Sequence, residues 1–230
     1  MSPQVAVIIV AGGSGRRMGG KLPKQFMTIG GKPILMHTLQ RFVDVLKNPQ
    51  IILVLPTARI EYWKELCRTY GFNQPHIICE GGETRFDSVK RGLEHIGEAS
   101  LVAIHDGVRP LVSGALIQRA IADAKVFGAV IPVVTPIDSL RQIDAEGNHI
   151  IDRTQLRIVQ TPQVFHAKVI RKAYEQPYSS AFTDDASVVE ASGHDICLCE
   201  GDYANLKITT PIDIITAEAL LTAQAKLTES

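Results

Sequence analysis

A mostly parallel, doubly wound α/β sheet with a protruding β-hairpin arm is the fold this sequence predicts. Short β-branched runs, nearly continuous in apolar residues, alternate with longer amphipathic stretches from the start, as expected of strands covered by helices on both faces. A cluster of glycines follows the first run directly and reads as a functional turn. The length of 230 residues fits one α/β unit over residues 1–230, with an appendage over residues 137–158.

Strand patterns fall at Val5 to Val10, Ile51 to Leu55, His76 to Cys79, Leu101 to His105 and Ala129 to Val134. Helical periodicity fills the intervals at Ile34 to Leu46, Ile60 to Tyr70, Ser88 to Ile96 and Leu116 to Phe127. After Pro136 the rhythm changes. Asp138 to Arg153 reads as two extended segments around a turn at Ala145-Glu146-Gly147-Asn148, with too little apolar surface for a core of its own. Such a hairpin is marginal alone, so it is expected to lie on the parent domain or on another subunit. The chain returns through a strand at Gln163 to Phe165, helices at Ala167 to Tyr174 and Asp184 to Ser192, a strand at Ile196 to Cys199, and a closing helix that starts at Ile212.

Composition excludes several classes. With 45% hydrophobic and 21% charged residues the chain is not disordered. Its 24 basic residues balance 24 acidic ones, which argues against gripping nucleic acid by bulk electrostatics. Any polyanion it handles should be small and held in a local pocket. Cys67, Cys79, Cys197 and Cys199 lack the spacing of a metal site or redox dithiol, and reduced buried thiols fit a cytoplasmic chain. No apolar run approaches the roughly 20 residues needed to cross a bilayer, and the first residues lack the basic region of a signal peptide.

The chemistry concentrates in Val10 to Gln25, V-A-G-G-S-G-R-R-M-G-G-K-L-P-K-Q. After Ala11, the glycines Gly12, Gly13 and Gly15 let backbone N–H groups approach an anion, while Arg16, Arg17, Lys21 and Lys24 supply positive charge. The spacing matches neither a P-loop nor the dinucleotide fingerprint, because no Gly-Lys-Ser/Thr follows and Met18 stands where a third small residue belongs. A polyphosphate site is expected here. Asp106 ends a strand at the edge where open α/β sheets bind ligands; a carboxylate beside a polyphosphate calls for a hard cation between them.

A-G-G-S-G-R-R-M-G followed by P-K-Q resembles the N-terminal signature of nucleotidyltransferases that activate small phosphates. Further segments narrow the resemblance to the 2-C-methyl-D-erythritol 4-phosphate cytidylyltransferase family of the non-mevalonate isoprenoid pathway: G-G-E-T-R-F-D-S-V at 81–89, H-D-G-V-R-P at 105–110, D-R at 152–153, Q-T-P-Q at 160–163, T-D-D-A at 183–186 and N-L-K-I-T at 205–209. The resemblance implies a Rossmann-like nucleotidyltransferase fold, attack of a substrate phosphate on the α-phosphorus of CTP, loss of pyrophosphate, and dependence on Mg²⁺. It assigns Arg17, Lys24, Arg153 and Lys207 as catalytic cations, and Ala11, Gly12, Gly13, Gly15, Gly81, Gly82, Glu83 and Ser88 to the nucleotide. Asp106 is the expected metal residue and a partner for an acceptor hydroxyl. Arg109, Ser139, Arg153, Thr161 and Thr183, with Lys207, are the expected acceptor contacts. Arg85 is left between a site role and a surface role, and His105 is expected to be packed.

The resemblance also implies a homodimer in which the hairpin carries Arg153 and Ser139 to the partner's site. Ser139 stands where threonine is more usual, and Gly107-Val108 replaces two alanines. Both departures touch the acceptor pocket, so ribitol 5-phosphate stays open beside methylerythritol phosphate as the acceptor. A catalytically idle nucleotide-binding subunit is the reading from another class, and joint retention of Arg17, Lys24, Asp106 and Lys207 counts against it.

Overall fold

The computed structural model describes residues 5–12 and 22–228, with side chains through 224. The first apolar run forms β1 (Val5–Val10). A small ladder of β2 (Thr28–Ile29) and β3 (Lys32–Pro33) precedes α1 (Ile34–Val45). Then come β4 (Gln50–Leu55), α2 (Ile60–Thr69), β5 (Ile77–Glu80), α3 (Arg85–Leu93), β6 (Leu101–Asp106), α4 (Gly114–Phe127) and β7 (Ala129–Val134). The hairpin is β8 (Leu140–Asp144) and β9 (Gly147–Ile151). It is followed by β10 (Ile158–Val159), β11 (Gln163–His166), α5 (Ala167–Ala173), α6 (Asp185–Ala191), β12 (Cys197–Glu200) and α7 (Pro211–Thr228).

The main sheet runs β5-β4-β1-β6-β11-β7, with β12 parallel to β7 on its outer edge. β10 and β11 follow one another along the inner edge of β7, where Gln160 N and His166 N bond to Pro132 O and Gly128 O. Each is antiparallel to β7, the exception in an otherwise parallel sheet. From β1 the chain steps outward to β4 and β5, then crosses back to place β6 on the other side of β1. The carboxyl ends of β1 and β6 therefore flank a topological switch point, the usual ligand crevice of such sheets.

Alternation along the strands builds two cores. Val7 and Ile9 face α1 and α4, packing with Leu35, Leu39, Leu116 and Ile117, whereas Ala6 and Ile8 face α3, packing with Phe86 and Val89. Residues two apart share a face and successive ones do not, which is why each strand had to be apolar throughout. A third cluster seats α7 through Ala217 against Ile29 and Ile34.

Two features depart from expectation, and a third concerns the expected hairpin. The third helix begins at Arg85 rather than Ser88, because Thr84 caps it: Thr84 Oγ1 accepts from Asp87 N and the Asp87 carboxylate accepts from Thr84 N. The β2–β3 and β10 ladders, two residues long, are too short to leave a periodic signal. The hairpin pairs with itself alone in a separate two-stranded sheet, with Ile143 and Ile150 each 82% exposed.

Candidate active site

A pocket of about 360 Å³ opens at the switch point. Ala11 and Gly12 follow the end of β1, Lys24 and Gln25 lie in a short 3-10 turn, Gly82 to Thr84 lead into α3, Arg85 and Ser88 lie in its first turns, Asp106 ends β6, and Lys207 stands on the segment before α7. Gly13, Gly15 and Arg17, expected in the same site, lie outside the described residues.

The loop before α3 is built by its own side chains. Ser88 Oγ donates to Thr84 O at 2.9 Å and accepts from Gly82 N at 3.1 Å. A Cβ on Gly82 would lie 2.2 Å from Asp87 Cβ, inside the capping box itself, so glycine is required for the loop to fold back on the helix. The start of α3, with the partial positive charge of a helix N-terminus, is thereby held at the pocket wall. Gly81 N bonds to Leu55 O at 2.7 Å, fixing the loop to β4.

Asp106 is the electrostatic centre. Its Oδ2 lies 3.0 Å from Lys207 Nζ and 3.3 Å from Arg109 Nε, while its Oδ1 has Arg85 Nε at 4.0 Å. Burial alone would raise its pKa, but the charges of Lys207, Arg85 and Arg109 outweigh that and hold the carboxyl far below the usual range. It is ionised at any working pH. Arg85 in turn makes a bidentate pair with the fully buried Asp185, Nη1 to Oδ1 at 2.8 Å and Nη2 to Oδ2 at 2.6 Å. Tyr174 donates its hydroxyl proton to the same carboxylate.

Lys207 reaches the pocket on a segment sewn to the loop after β6. Arg109 Nη1 donates to Asn205 O at 2.8 Å, Ile208 N to Val108 O at 2.9 Å, and Asn205 Nδ2 to Thr161 O at 2.8 Å, beside the cis Thr161–Pro162 bond. Behind Asp106 runs a relay: Asp106 N donates to Thr161 Oγ1, Thr161 Oγ1 to His105 Nδ1, and His105 Nε2 to Arg109 O. The two fixed ends assign the imidazole as neutral, with its proton on Nε2. His105 is thus structural, and Phe42 packs edge-on against its ring.

Burial lowers the His105 pKa to about 4 from 6.5. The unfolded chain takes up this proton below about 6.5 and the native state only below about 4. The associated stability is complete above pH 6.5 and is lost as pH falls toward 4, by about 3 kcal/mol. Urea midpoints measured from pH 7 to 4 in EDTA should fall more steeply for the wild type than for His105→Gln. Parallel profiles would show that His105 does not titrate in this window.

The expected residues thus separate into groups. Ala11, Gly12, Lys24, Gly82, Glu83, Ser88, Asp106 and Lys207 line the pocket together. Arg109 and Thr161 are buried behind its wall, where their polar groups hold Asp106 and its loop. Thr183 is exposed, its N–H held by Ser187 Oγ at the start of α6, two residues from Asp185. Ser139 and Arg153 flank the exposed hairpin, and Arg153 Nη1 donates to Ile137 O. Gly107 has a packing explanation: a Cβ there would stand 3.0 Å from both Ala11 Cβ and Leu35 Cδ1. Sequence reasoning missed the Arg85–Asp185 pair. Its signal was present in Arg85 of the 81–89 motif and the second aspartate of Thr183-Asp184-Asp185-Ala186, but nothing local joins them.

Asp106 and Glu83 are the carboxylates on the described lining, and among the described residues no cluster of three His, Cys, Asp or Glu could hold an ion. One carboxylate with three cations around it suits Mg²⁺ only when phosphate oxygens supply most of the coordination, the usual way that ion is bound in nucleotide sites. The donor set fits a metal that arrives with its nucleotide.

The described lining carries Lys24, Arg85 and Lys207 but no cysteine or histidine. Its hydroxyls are engaged as donors, Ser88 to Thr84 O and Thr84 to Asp87 Oδ2. A described lining that presents cations and no activated nucleophile, at the switch point of a doubly wound sheet, suits a nucleotidyltransferase, in which one phosphate attacks another and the protein forms no covalent intermediate. The family model for 2-C-methyl-D-erythritol 4-phosphate cytidylyltransferase matches residues 5–223. Relatives of that name from Phocaeicola vulgatus and Bacteroides fragilis are 49% and 51% identical, over 94% and 93% of this chain and 98% of each relative. The solved 4-diphosphocytidyl-2C-methyl-D-erythritol synthase of Anaerococcus prevotii superposes with a TM-score of 0.81 at 30% identity, covering 96% of both chains. The 2-C-methyl-D-erythritol 4-phosphate cytidylyltransferase of Thermus thermophilus gives 0.74 at 33% identity, covering 96% of this chain and 98% of that one. The chain belongs to the 2-C-methyl-D-erythritol 4-phosphate cytidylyltransferase family.

Proposed function

We propose that this protein transfers CMP from CTP to 2-C-methyl-D-erythritol 4-phosphate. An oxygen of the acceptor phosphate bonds to the α-phosphorus, the bond to the bridging oxygen breaks, and pyrophosphate leaves as 4-diphosphocytidyl-2-C-methyl-D-erythritol forms. The observation that carries this reading is the ion pair of Lys207 with Asp106 in one pocket with Lys24 and the loop before α3. A phosphate monoester is already ionised near neutral pH, so no base is needed, and the residues align the reactants and neutralise charge.

In this reading Gly81, Gly82, Glu83 and Ser88 select the pyrimidine, with Ala11 and the glycines after it at the triphosphate. Arg17 and Lys24 hold the leaving pyrophosphate, and Lys207 meets the α-phosphate. Asp106, braced by Arg109 and Thr161, takes an acceptor hydroxyl. Thr183 and the partner subunit's copies of Arg153 and Ser139 hold the acceptor phosphate, so the active form is a homodimer. Mg²⁺ held mostly by the phosphate oxygens of CTP would neutralise their charge, and Asp106 is the lining carboxylate that would help to hold it. A cytoplasmic site of action fits the four thiols, all unpaired, and among the described residues no helix is long and apolar enough to cross a membrane.

Pyrophosphate release by purified protein tests this. Release is expected with CTP and methylerythritol phosphate, stopping with EDTA and returning with Mg²⁺. Turnover confined to ribitol 5-phosphate would reassign the acceptor. Binding of CTP with no release from either acceptor would make the protein a nucleotide-binding subunit, and full activity in chelator would remove the metal and the metal role of Asp106.

A further inference from the structure

The Arg85–Asp185 pair does no chemistry in the reaction above, yet it is placed against the residue that does. Arg85 keeps 31% of its side chain exposed and lines the pocket, while Asp185 is completely buried at the start of α6. Both Nη groups of Arg85 go to Asp185, leaving the Nε edge toward Asp106 Oδ1 at 4.0 Å, beyond a hydrogen bond. The other oxygen of Asp106 is already taken by Lys207 and Arg109. Oδ1 has no hydrogen-bond partner among the described residues.

Asp185 is itself held in place. Tyr174 donates to it at 2.7 Å, and the neighbouring Asp184 and Ala186 are both fixed by the Gln163 amide, through Asp184 Oδ2 at 2.8 Å and Ala186 N at 2.9 Å. A planar guanidinium facing a rigid carboxylate in this bidentate geometry is strongly oriented.

We infer that Asp185 is a positioning residue that draws the Arg85 guanidinium away from Asp106, keeping Asp106 Oδ1 open to accept a hydroxyl of the polyol phosphate. This rests on the assignment of Asp106 to the acceptor. Without the Asp185 charge, Asp106 is the carboxylate toward which the Arg85 fork turns, and Oδ1 becomes covered. The acceptor is then excluded while the nucleotide loop is untouched. A buried ion pair with a purely structural role would act on stability and on both substrates alike.

The test is a suppressor series with the wild type assayed alongside. Asp185→Asn should raise the KM for methylerythritol phosphate at least tenfold, with the KM for CTP within about twofold of wild type. Arg85→Met combined with Asp185→Asn removes both charges and uncovers Oδ1 again, so the acceptor KM should return to within about threefold of wild type. Tyr174→Phe, which keeps both charges of the pair, should change the acceptor KM far less than Asp185→Asn does. A double variant as defective toward the acceptor as Asp185→Asn would overturn the inference, as would equal losses toward both substrates. If the wild type itself turned over neither polyol phosphate, the acceptor reading would fail. The crystal structure of Asp185→Asn would then still decide the geometry: an Arg85 Nη within hydrogen-bond distance of Asp106 Oδ1 upholds the inference, and an unmoved Arg85 sinks it.

Discussion

Lys207→Ala should turn over CTP and acceptor about 10²- to 10³-fold more slowly than wild type, a loss of about 3 to 4 kcal/mol of transition-state stabilisation. The ammonium group stands 3.0 Å from Asp106 in the pocket, on a segment that hydrogen bonds to the loop after β6 hold from both sides. It is therefore preorganised, and a preorganised cation acts mainly on charge that develops during transfer. Its side chain is 45% exposed, and Asp106 retains Arg109 and Arg85 when it is removed, so the fold should survive. The expected signature is a fall in kcat with an unchanged thermal midpoint. Near-normal turnover at saturating CTP would take Lys207 out of the mechanism.

A larger recovery is expected from mixing two inactive proteins. Among the described residues the hairpin projects with Ile143 and Ile150 exposed and pairs only with itself, and the proposed homodimer gives it a second copy of the chain to lie on. If Arg153 completes the neighbour's acceptor site, Arg153→Ala and Lys207→Ala homodimers are each nearly inactive. A heterodimer of the two carries one site with both residues intact. Random exchange at equal concentrations should then restore about a quarter of wild-type activity, since half the dimers are mixed and half their sites are complete. Native mass spectrometry would establish the exchange independently. Mixed dimers without recovered activity would return Arg153 to its own chain's site, or place it outside any site.

Much of this molecule could be read before its fold was known, because the signals concerned are local. Val5 to Val10 announces a strand covered on both faces by being apolar throughout, and Gly12 and Lys24, singled out after it, line the pocket at the end of that strand. Asp106 could be placed at the ligand-binding edge once its strand was recognised. The start of α3 was misjudged by three residues although its capping box is local too: Thr84 and Asp87 satisfy the reciprocal bonds, but aspartate is a less familiar partner in that motif than glutamate or glutamine.

What lay beyond such reading is long-range. The insertion of the antiparallel β11 between β6 and β7 fixes where α5 and α6 sit, and neither its direction nor its neighbours are encoded in a strand of four residues. That insertion brings Asp185 to Arg85, 100 residues away in the chain, and the same folding back brings Asn205 to Arg109 and Lys207 to Asp106. Periodicity and residue type arise within a few positions of one strand or helix, so sequence carries the elements and the kinds of chemistry. Which charges meet around Asp106 depends on packing and hydrogen bonds between segments far apart in the chain, and these exist only once the sheet has assembled.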